Sequence, residues 1–198
     1  MVDGKVNYQR GAVVAIAVIL IAAVAVIASR GPDDKSRPAT DAGAKTAPVT
    51  VAGEKFNLEL ALDDKTRFHG LSDRTDIAPD GGMLFCFTRA SVQEFVMRDC
   101  PIPIDIIYLD PAGRVVAFYK MVPEPPRSEE EQKLTPPFKG APDWAGTNDA
   151  YEKRLKRYPS GFASQFVIEL KGNTLDRLKI AKGDKVDLDV VGLKARAK

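Results

Sequence analysis

Charged side chains inside or beside apolar runs are the residues of this sequence best suited to binding a small polar ligand. Asp105 interrupts an apolar run that extends from Ile104 to Leu109. An ionised carboxylate in such a run needs a partner, because burying it unpaired is very costly. The candidate ligand-binding cluster consists of this aspartate and charged residues of nearby polar segments: Arg74, Arg98, Asp99 and Asp105. The alternative interpretation is a structural ion pair that fixes strand register.

Cys86 and Cys100 are the only two cysteines of the chain. An even number of cysteines in an exported domain permits a disulfide. The register of the two strands decides whether their Cα atoms come within the roughly 4.4 to 6.8 Å that a disulfide requires. Two buried free thiols are the alternative, because free cysteine is a common small core residue.

A thiol or hydrolytic enzyme would require Cys100 as the nucleophile and His69, the single histidine, as its base. The spacing of these residues does not favour that arrangement. The sequence has no Gly-rich phosphate loop and no pair of metal ligands at helical or hairpin spacing. We therefore predict neither a metal nor a cofactor.

The overall charge excludes a general attraction to nucleic acid. The 198 residues include 29 basic and 27 acidic side chains, which leaves a formal net charge of +2. So small a surplus creates no field that would draw in a polyanion. We expect no nucleic-acid partner.

A run without charged residues extends from Gly11 to Ser29, and Arg10 and Arg30 flank it. A bilayer requires about 17 to 25 apolar residues, whereas the apolar core of a cleavable signal has roughly 7 to 15. Residues 11–29 are therefore predicted to be a transmembrane anchor (or an uncleaved signal) that contacts the lipid bilayer. Residues 1–10 form a short tail, and residues 30–48 have the composition of a flexible linker. We place the following domain outside the cytoplasm, because long domains cross largely regardless of local charge.

The remaining chain is predicted to be one mainly β, β-rich α+β domain over residues 49–192, with a tail at 193–198. Residues 49–51 and 55–60 alternate in polarity like a hairpin, and Asp63 or Asp64 can cap a short helix. Further strands are predicted at 82–87, 92–98, 104–109, 114–120, 165–170 and 185–190. Many short strands separated by turns favour a small barrel-like or strongly curled antiparallel sheet with a few short helices.

Residues 123–159 differ in composition from the rest and are interpreted as an insertion, with Trp144 as its one large anchor. Asn148 can cap a helix through Arg157 that places Tyr151, Leu155 and Tyr158 on one stripe. This stripe packs against its own domain or, alternatively, forms a protein-interaction surface. In the second case the chain is a structural scaffold.

Four segments in this order resemble one known family: residues 70–74, 82–85, 95–106, and 158–170 with Gly183-Asp184. The sequence is similar, over roughly residues 49–190, to the bacterial and archaeal domain of unknown function numbered 192. The resemblance implies a small β-rich, barrel-like domain, often behind a signal or anchor, with no established activity or cofactor. In the family pattern, Arg98 or Arg74 is the nearest partner for Asp105.

This chain departs from the family pattern at three neighbouring positions. The family usually has Trp at Val96, Asn at Asp99 and Thr at Cys100, and its connection before Tyr158 is shorter. The loss of an aromatic platform and the gain of a carboxylate should change which ligand is preferred. The leading hypothesis is a membrane-anchored, extracytoplasmic, non-catalytic module that binds a small polar ligand or an envelope protein.

Overall fold

The structure is a computed structural model that describes residues 43–198. The predicted tail at 1–10, the predicted anchor at 11–29 and most of the predicted linker at 30–48 lie outside these residues. None of the helices between residues 43 and 198 has the length and apolar content that crossing a bilayer requires.

The N-terminal hairpin agrees with the sequence prediction except that its first strand begins at Thr46, within the predicted linker at 30–48. Strands β1 (Thr46–Val51) and β2 (Glu54–Ala61) pair antiparallel, and Ala52 and Gly53 form the turn with φ of 49° and 85°. Two consecutive positive φ angles match the right-handed twist of the flanking strands. Helix α1 (Asp64–His69) follows, and Asp63 caps it by accepting a hydrogen bond of 2.9 Å from the Thr66 N–H. Gly70 ends α1 with a φ of 55°.

Four further strands complete a six-stranded sheet: β3 (Gly82–Phe95), β4 (Ile104–Leu109), β5 (Val115–Met121) and β6 (Tyr158–Lys171). The strand order is β1-β2-β3-β6-β4-β5, and all neighbours are antiparallel except β2 and β3, which are parallel. The two predicted strands at 82–87 and 92–98 are one strand, β3, whose register shifts between Cys86 and Ser91.

The sheet is open, which corrects the barrel-like form, one of the two forms that the sequence predicted. The segment predicted as a strand at 185–190 forms only isolated bridges, from Asp187 to Thr50 in β1 and from Lys185 to Arg114 just before β5. These bridges contact both edges of the sheet without a continuous ladder, so the edge strands do not join.

Apolar side chains cover both faces of the sheet. Leu84, Ile107 and Ile168 belong to one core, whereas Phe85, Tyr108 and Val167 belong to the other. Side chains alternate between faces along a strand, so each central strand contributes to both cores. The first core is closed by C-terminal residues that include Leu178, Val186 and Leu193, and the second by loop residues that include Leu71, Met97 and Cys100. These loops and the second face of the sheet position the candidate site.

The C-terminal residues, which the sequence assigns to a tail at 193–198, form most of helix α3 (Val190–Arg196). Leu193 is fully buried in the first core, whereas Val191 is 76% exposed. Helix α3 therefore belongs to the domain. Leu193 is the one buried residue of this short helix, so the sequence of the segment has the polar composition typical of a tail.

The insertion packs against its own domain. It contains one 3₁₀ turn (Asp143–Ala145) and helix α2 (Asp149–Arg154), which Asn148 caps as predicted. The helix ends before Arg157, because Tyr158 already begins β6. Tyr151, Leu155 and Tyr158 are all buried.

Candidate functional site

The four charged residues predicted from the sequence do not form one cluster. Asp105 aligns with Leu170 on the face of the sheet that belongs to the first core. Its carboxylate accepts hydrogen bonds from the backbone N–H groups of Leu175, at 2.6 Å, and Asn173. Burial raises the pKa of Asp105, and these two N–H groups oppose that rise. Asp105 therefore holds the 3₁₀ turn (Thr174–Asp176) that follows β6.

The other three predicted residues each have a different partner. Arg98 makes a two-pronged ion pair with Glu152 of α2, at 2.6 and 2.8 Å. Arg74 pairs with Glu59 at 2.7 Å. Asp99 makes a two-pronged ion pair with Arg127 of the insertion, whose Nε and Nη2 donate to the carboxylate at 2.8 and 2.9 Å.

The two cysteines lie on opposite faces of the sheet. Cys86 belongs to the first core and Cys100 to the second, and both are free and buried. Burial raises the pKa of each thiol to about 12. A catalytic thiol requires the opposite change, since the thiolate is the nucleophile. Cys100 is therefore held as a neutral thiol, although it shares a cleft with His69.

This cleft, of about 450 Å³, opens on the second face of the sheet. Its walls come from α1 and the loop after it, from β3 and the loop after that, from the insertion and from β6. Aromatic side chains dominate the apolar part of its lining: Phe68, Phe85, Phe87, Phe95 and Trp144. We call it the Glu169 cleft, after the carboxyl group that β6 contributes to it.

Glu169 lies in the middle of the sheet, aligned with Met83 of β3 and Ile106 of β4. Only 5% of the residue is exposed. Among the contacts of residues 43–198, no hydrogen bond or ion pair reaches its carboxyl group. Burial raises the pKa of Glu169 to about 8. At neutral pH the cleft therefore presents a largely protonated carboxyl that has no hydrogen-bond partner among residues 43–198.

Gly70 leaves room beside this carboxyl. A Cβ at position 70 would stand 3.3 Å from Cζ of Phe85 and 3.8 Å from Oε2 of Glu169. The φ of 55° also favours glycine here, so the same residue ends α1 and keeps the carboxyl accessible. Gly70 begins the segment 70–74, one of the four that resemble the family, so this segment adjoins the site.

The arginines along the cleft are each neutralised. Arg67 pairs with Asp64 at 2.6 Å, and Arg98 pairs with Glu152. The third pair, Arg157 with Glu94, is longer at 3.8 Å. Of the carboxyl groups that line the cleft within the described part of the chain, Glu169 is the one without a cationic partner.

Sequence reasoning missed Glu169, although the signal was available. Glu169 stands between Ile168 and Leu170 in an apolar run, as Asp105 stands between Ile104 and Ile106. The criterion that selected Asp105 applies equally to both acids. Only the structure shows that Asp105 is satisfied by backbone N–H groups and that Glu169 is not.

A larger hollow of about 670 Å³ lies between the insertion and the loop at Asp99. Its walls contain four prolines, and two of its charged residues, Asp99 and Arg127, neutralise each other. The Asp99 N–H also donates to the Tyr151 hydroxyl at 2.9 Å, with the Arg127 guanidinium 3.7 Å above that ring. These contacts attach the insertion to the domain.

Comparison with known proteins agrees with this fold. The DUF192 family model, described as an uncharacterized ACR, matches residues 47–188. A structure of a protein of unknown function from Novosphingobium aromaticivorans is 27% identical, with a TM-score of 0.54 over 75% of this chain and 91% of that one. A proposed transcription regulator from Sinorhizobium meliloti is 23% identical, with a TM-score of 0.52 over 71% and 90%, and shows the fold alone. No curated protein matches.

Proposed function

We propose that this chain, which belongs to the DUF192 family, is a ligand-binding module. The family description names no activity, so the proposal depends on the chain's own site. In this proposal the module is membrane-anchored and extracytoplasmic, and it binds a small polar ligand in the Glu169 cleft without transforming it. The observation that carries the proposal is the buried, unpartnered carboxyl of Glu169 beside an open cleft.

The energetic cost of this carboxyl supports the proposal. A polar group that is buried without a partner costs up to about 3 kcal/mol, because it has lost hydrogen bonds to water, and only 5% of Glu169 is exposed. A ligand that hydrogen-bonds to Glu169 would recover this cost. The cleft combines aromatic side chains with charged and polar ones, and polar groups that converge in a concave pocket fix the orientation of a small molecule.

The single tryptophan provides a direct test, because Trp144 lines the cleft. We expect a panel of sugars, amino acids, amines and envelope fragments to contain compounds that shift both the Trp144 fluorescence and the melting temperature of the full chain. Glu169→Leu should abolish these shifts, since leucine cannot hydrogen-bond. Asp105→Asn changes a buried acid on the opposite face and should preserve them.

Two results would overturn the binding proposal. One is a panel without any compound that shifts either signal. The other is a set of compounds whose effects persist in Glu169→Leu, because the cleft would then not be the site.

The proposed location requires a separate experiment. The support is the uncharged run at residues 11–29, which is long enough to span a bilayer. Alkaline phosphatase, which is active only outside the cytoplasm, should be active when fused after Lys198, and the fusion should remain in the membrane fraction. An inactive fusion, or one released into the soluble fraction, would reject this part of the proposal.

A second function is favoured by the same carboxyl. An acid whose pKa is about 8 can act as a general acid near neutral pH, which is a feature of many active sites. An enzyme would convert a bound panel compound, so the compound recovered after incubation decides between the two functions. Unchanged compound supports the binding module, and a product that Glu169→Gln fails to form supports the enzyme.

A further inference from the structure

We infer that the ligand of the Glu169 cleft is a small organic cation whose amino group lies against the Glu169 carboxyl and whose body contacts the aromatic walls. This inference rests on the proposed binding function and names its ligand class. Three features of the cleft carry it: the balance of charges, the aromatic lining and the space beside Gly70.

The balance of charges is the first feature. The Arg67, Arg98 and Arg157 side chains each face a carboxylate, so the rim contributes little net charge. Glu169, when ionised, is the carboxylate in excess among the described residues that line the cleft. A ligand that completes the pairing is therefore positively charged. An anionic ligand would meet no arginine that is free of a carboxylate.

The aromatic lining is the second feature, because aromatic faces attract cations. The cleft already uses this attraction with its own side chains. The Arg98 guanidinium lies 4.5 Å from the Phe68 ring centroid, and that of Arg67 lies 5.4 Å from the Phe87 centroid. Trp144, which lines the same cleft, meets Phe68 in a T-shaped contact at 5.7 Å.

The space beside Gly70 is the third feature. The missing side chain at this position leaves Oε2 of Glu169 approachable, and the cleft of about 450 Å³ accommodates a small molecule. A compact ammonium group with a short apolar or flat body therefore suits the space beside Gly70 and the aromatic lining.

A cationic ligand has a consequence that a neutral ligand lacks. The carboxyl of Glu169 is mostly protonated below about pH 8, so a cation must displace its proton. Affinity should rise about tenfold per pH unit between about pH 6 and pH 8 and then level off. A neutral alcohol or sugar binds the protonated acid directly, and its affinity does not rise with pH.

The pH dependence due to Glu169 must be distinguished from that of other titratable groups nearby. Cys100 and Tyr108 lie close enough to interact with it, and burial raises the pKa of both, so they stay neutral in this pH range. His69, at the end of α1, also lines the cleft. The variant His69→Gln removes the imidazole and should leave the pH dependence unchanged. Glu94 and Asp64, at the rim, are paired with arginines.

The experiment is calorimetric titration of the full chain with benzylamine, phenethylamine and choline, and with benzyl alcohol and phenethyl alcohol as neutral counterparts. We expect at least one amine to bind at least about tenfold more tightly than its alcohol at pH 8. We also expect one proton to be released per bound amine near pH 7, measured in buffers of different ionisation enthalpy. Glu169→Gln should weaken amine binding at least about tenfold and remove the proton release. Asp105→Asn, which changes a buried acid on the opposite face of the sheet, should change neither.

The possible failures are distinguishable. If the alcohols bind as tightly as the amines, or if Glu169→Gln binds amines normally, the inference about the ligand class is wrong and the binding function stands. The same holds if every compound that binds in the wider panel is neutral. If nothing in the panel binds at the cleft, the binding function fails as well.

Discussion

Two buried acids, one on each face of the sheet, illustrate how local hydrogen bonding decides the role of a residue. Asp105 accepts bonds from two backbone N–H groups and stabilises a turn. Glu169 has the same kind of sequence environment, but its carboxyl has no hydrogen-bond or ionic partner among the described residues. It lies beside an open cleft instead. The first arrangement completes the fold, and the second costs stability. A protein retains such a cost most readily where a ligand uses the group.

The cost at Glu169 predicts a pH-dependent effect of Glu169→Gln on stability. Between its ordinary pKa and about 8, the glutamate is ionised in the unfolded chain but keeps its proton in the folded one. The folded state therefore binds more protons, and this group makes the free energy of unfolding fall as pH rises, by about 1.4 kcal/mol per pH unit. Glutamine has no proton to lose, so the advantage of the variant over wild type should grow from about pH 5 to pH 8.

Urea denaturation at a series of pH values measures this difference. His69→Gln serves as the control, because it changes a titratable group of the same cleft that is exposed. Parallel stability curves for wild type and Glu169→Gln would show that the carboxyl does not carry a strongly raised pKa, and the account of its burial would be wrong.

Replacing Asp105 should have the opposite effect on stability from replacing Glu169. Asp105→Ala leaves the N–H groups of Leu175 and Asn173 without their acceptor, which should lower the free energy of unfolding by about 2 kcal/mol. Asp105→Asn keeps one acceptor oxygen and should cost less. Neither variant should alter ligand binding, because Asp105 is on the other face of the sheet. Urea denaturation measures the stability of each variant, and calorimetric titration with a compound that binds the wild type measures its affinity. Weaker binding without lost stability would restore Asp105 as a site residue.

At the scale of elements, the position of Glu169 depends on close pairing of β3 and β6. Gly82 has a φ of 140°, and a Cβ there would stand only 2.1 Å from the backbone oxygen of Glu169. We predict that Gly82→Ala forces the two strands apart and destabilises the domain by at least about 2 kcal/mol more than Gly53→Ala. Gly53 also has a positive φ, of 85°, but open space around it, so Gly53→Ala measures backbone strain alone, which costs about 1 kcal/mol.

Chemical denaturation of both glycine variants makes the comparison. Equal losses of stability would mean that strain alone matters at Gly82 and that β6 tolerates displacement. In that case the sheet would not fix the Glu169 carboxyl as closely as we argue.

The elements that the sequence predicted well are those with strong local signals. The Asp63 and Asn148 caps, the turn at Gly53 and the apolar run of β4 all follow from residues close together in the chain. The beginning of β6 was missed because Pro159 and Gly161 are poor strand formers, and pairing with β3 overrides that preference. The 185–190 segment has a strand-like pattern, yet it meets each sheet edge at one residue pair only.

At the scale of the whole molecule, the site could be predicted only in part. Arg98 was a predicted site residue and does line the cleft, but its partner Glu152 comes from the insertion. The Glu169 cleft combines residues from α1, β3, the insertion and β6, and their meeting depends on strand register. Register is set by packing between distant segments, so no local pattern in the sequence specifies it.

The insertion therefore has a role that its composition did not suggest, since it supplies Trp144 to one wall of the cleft. We predict that Trp144→Ala weakens binding of a cationic ligand about three- to thirtyfold, the range expected for losing one cation–aromatic contact. Phe138→Ala removes an aromatic ring of the same insertion that is 65% exposed, and it should leave affinity unchanged. Calorimetry measures both, because Trp144→Ala removes the fluorescence signal. If Phe138→Ala had the larger effect, the insertion would act through its outer surface, as the scaffold hypothesis requires.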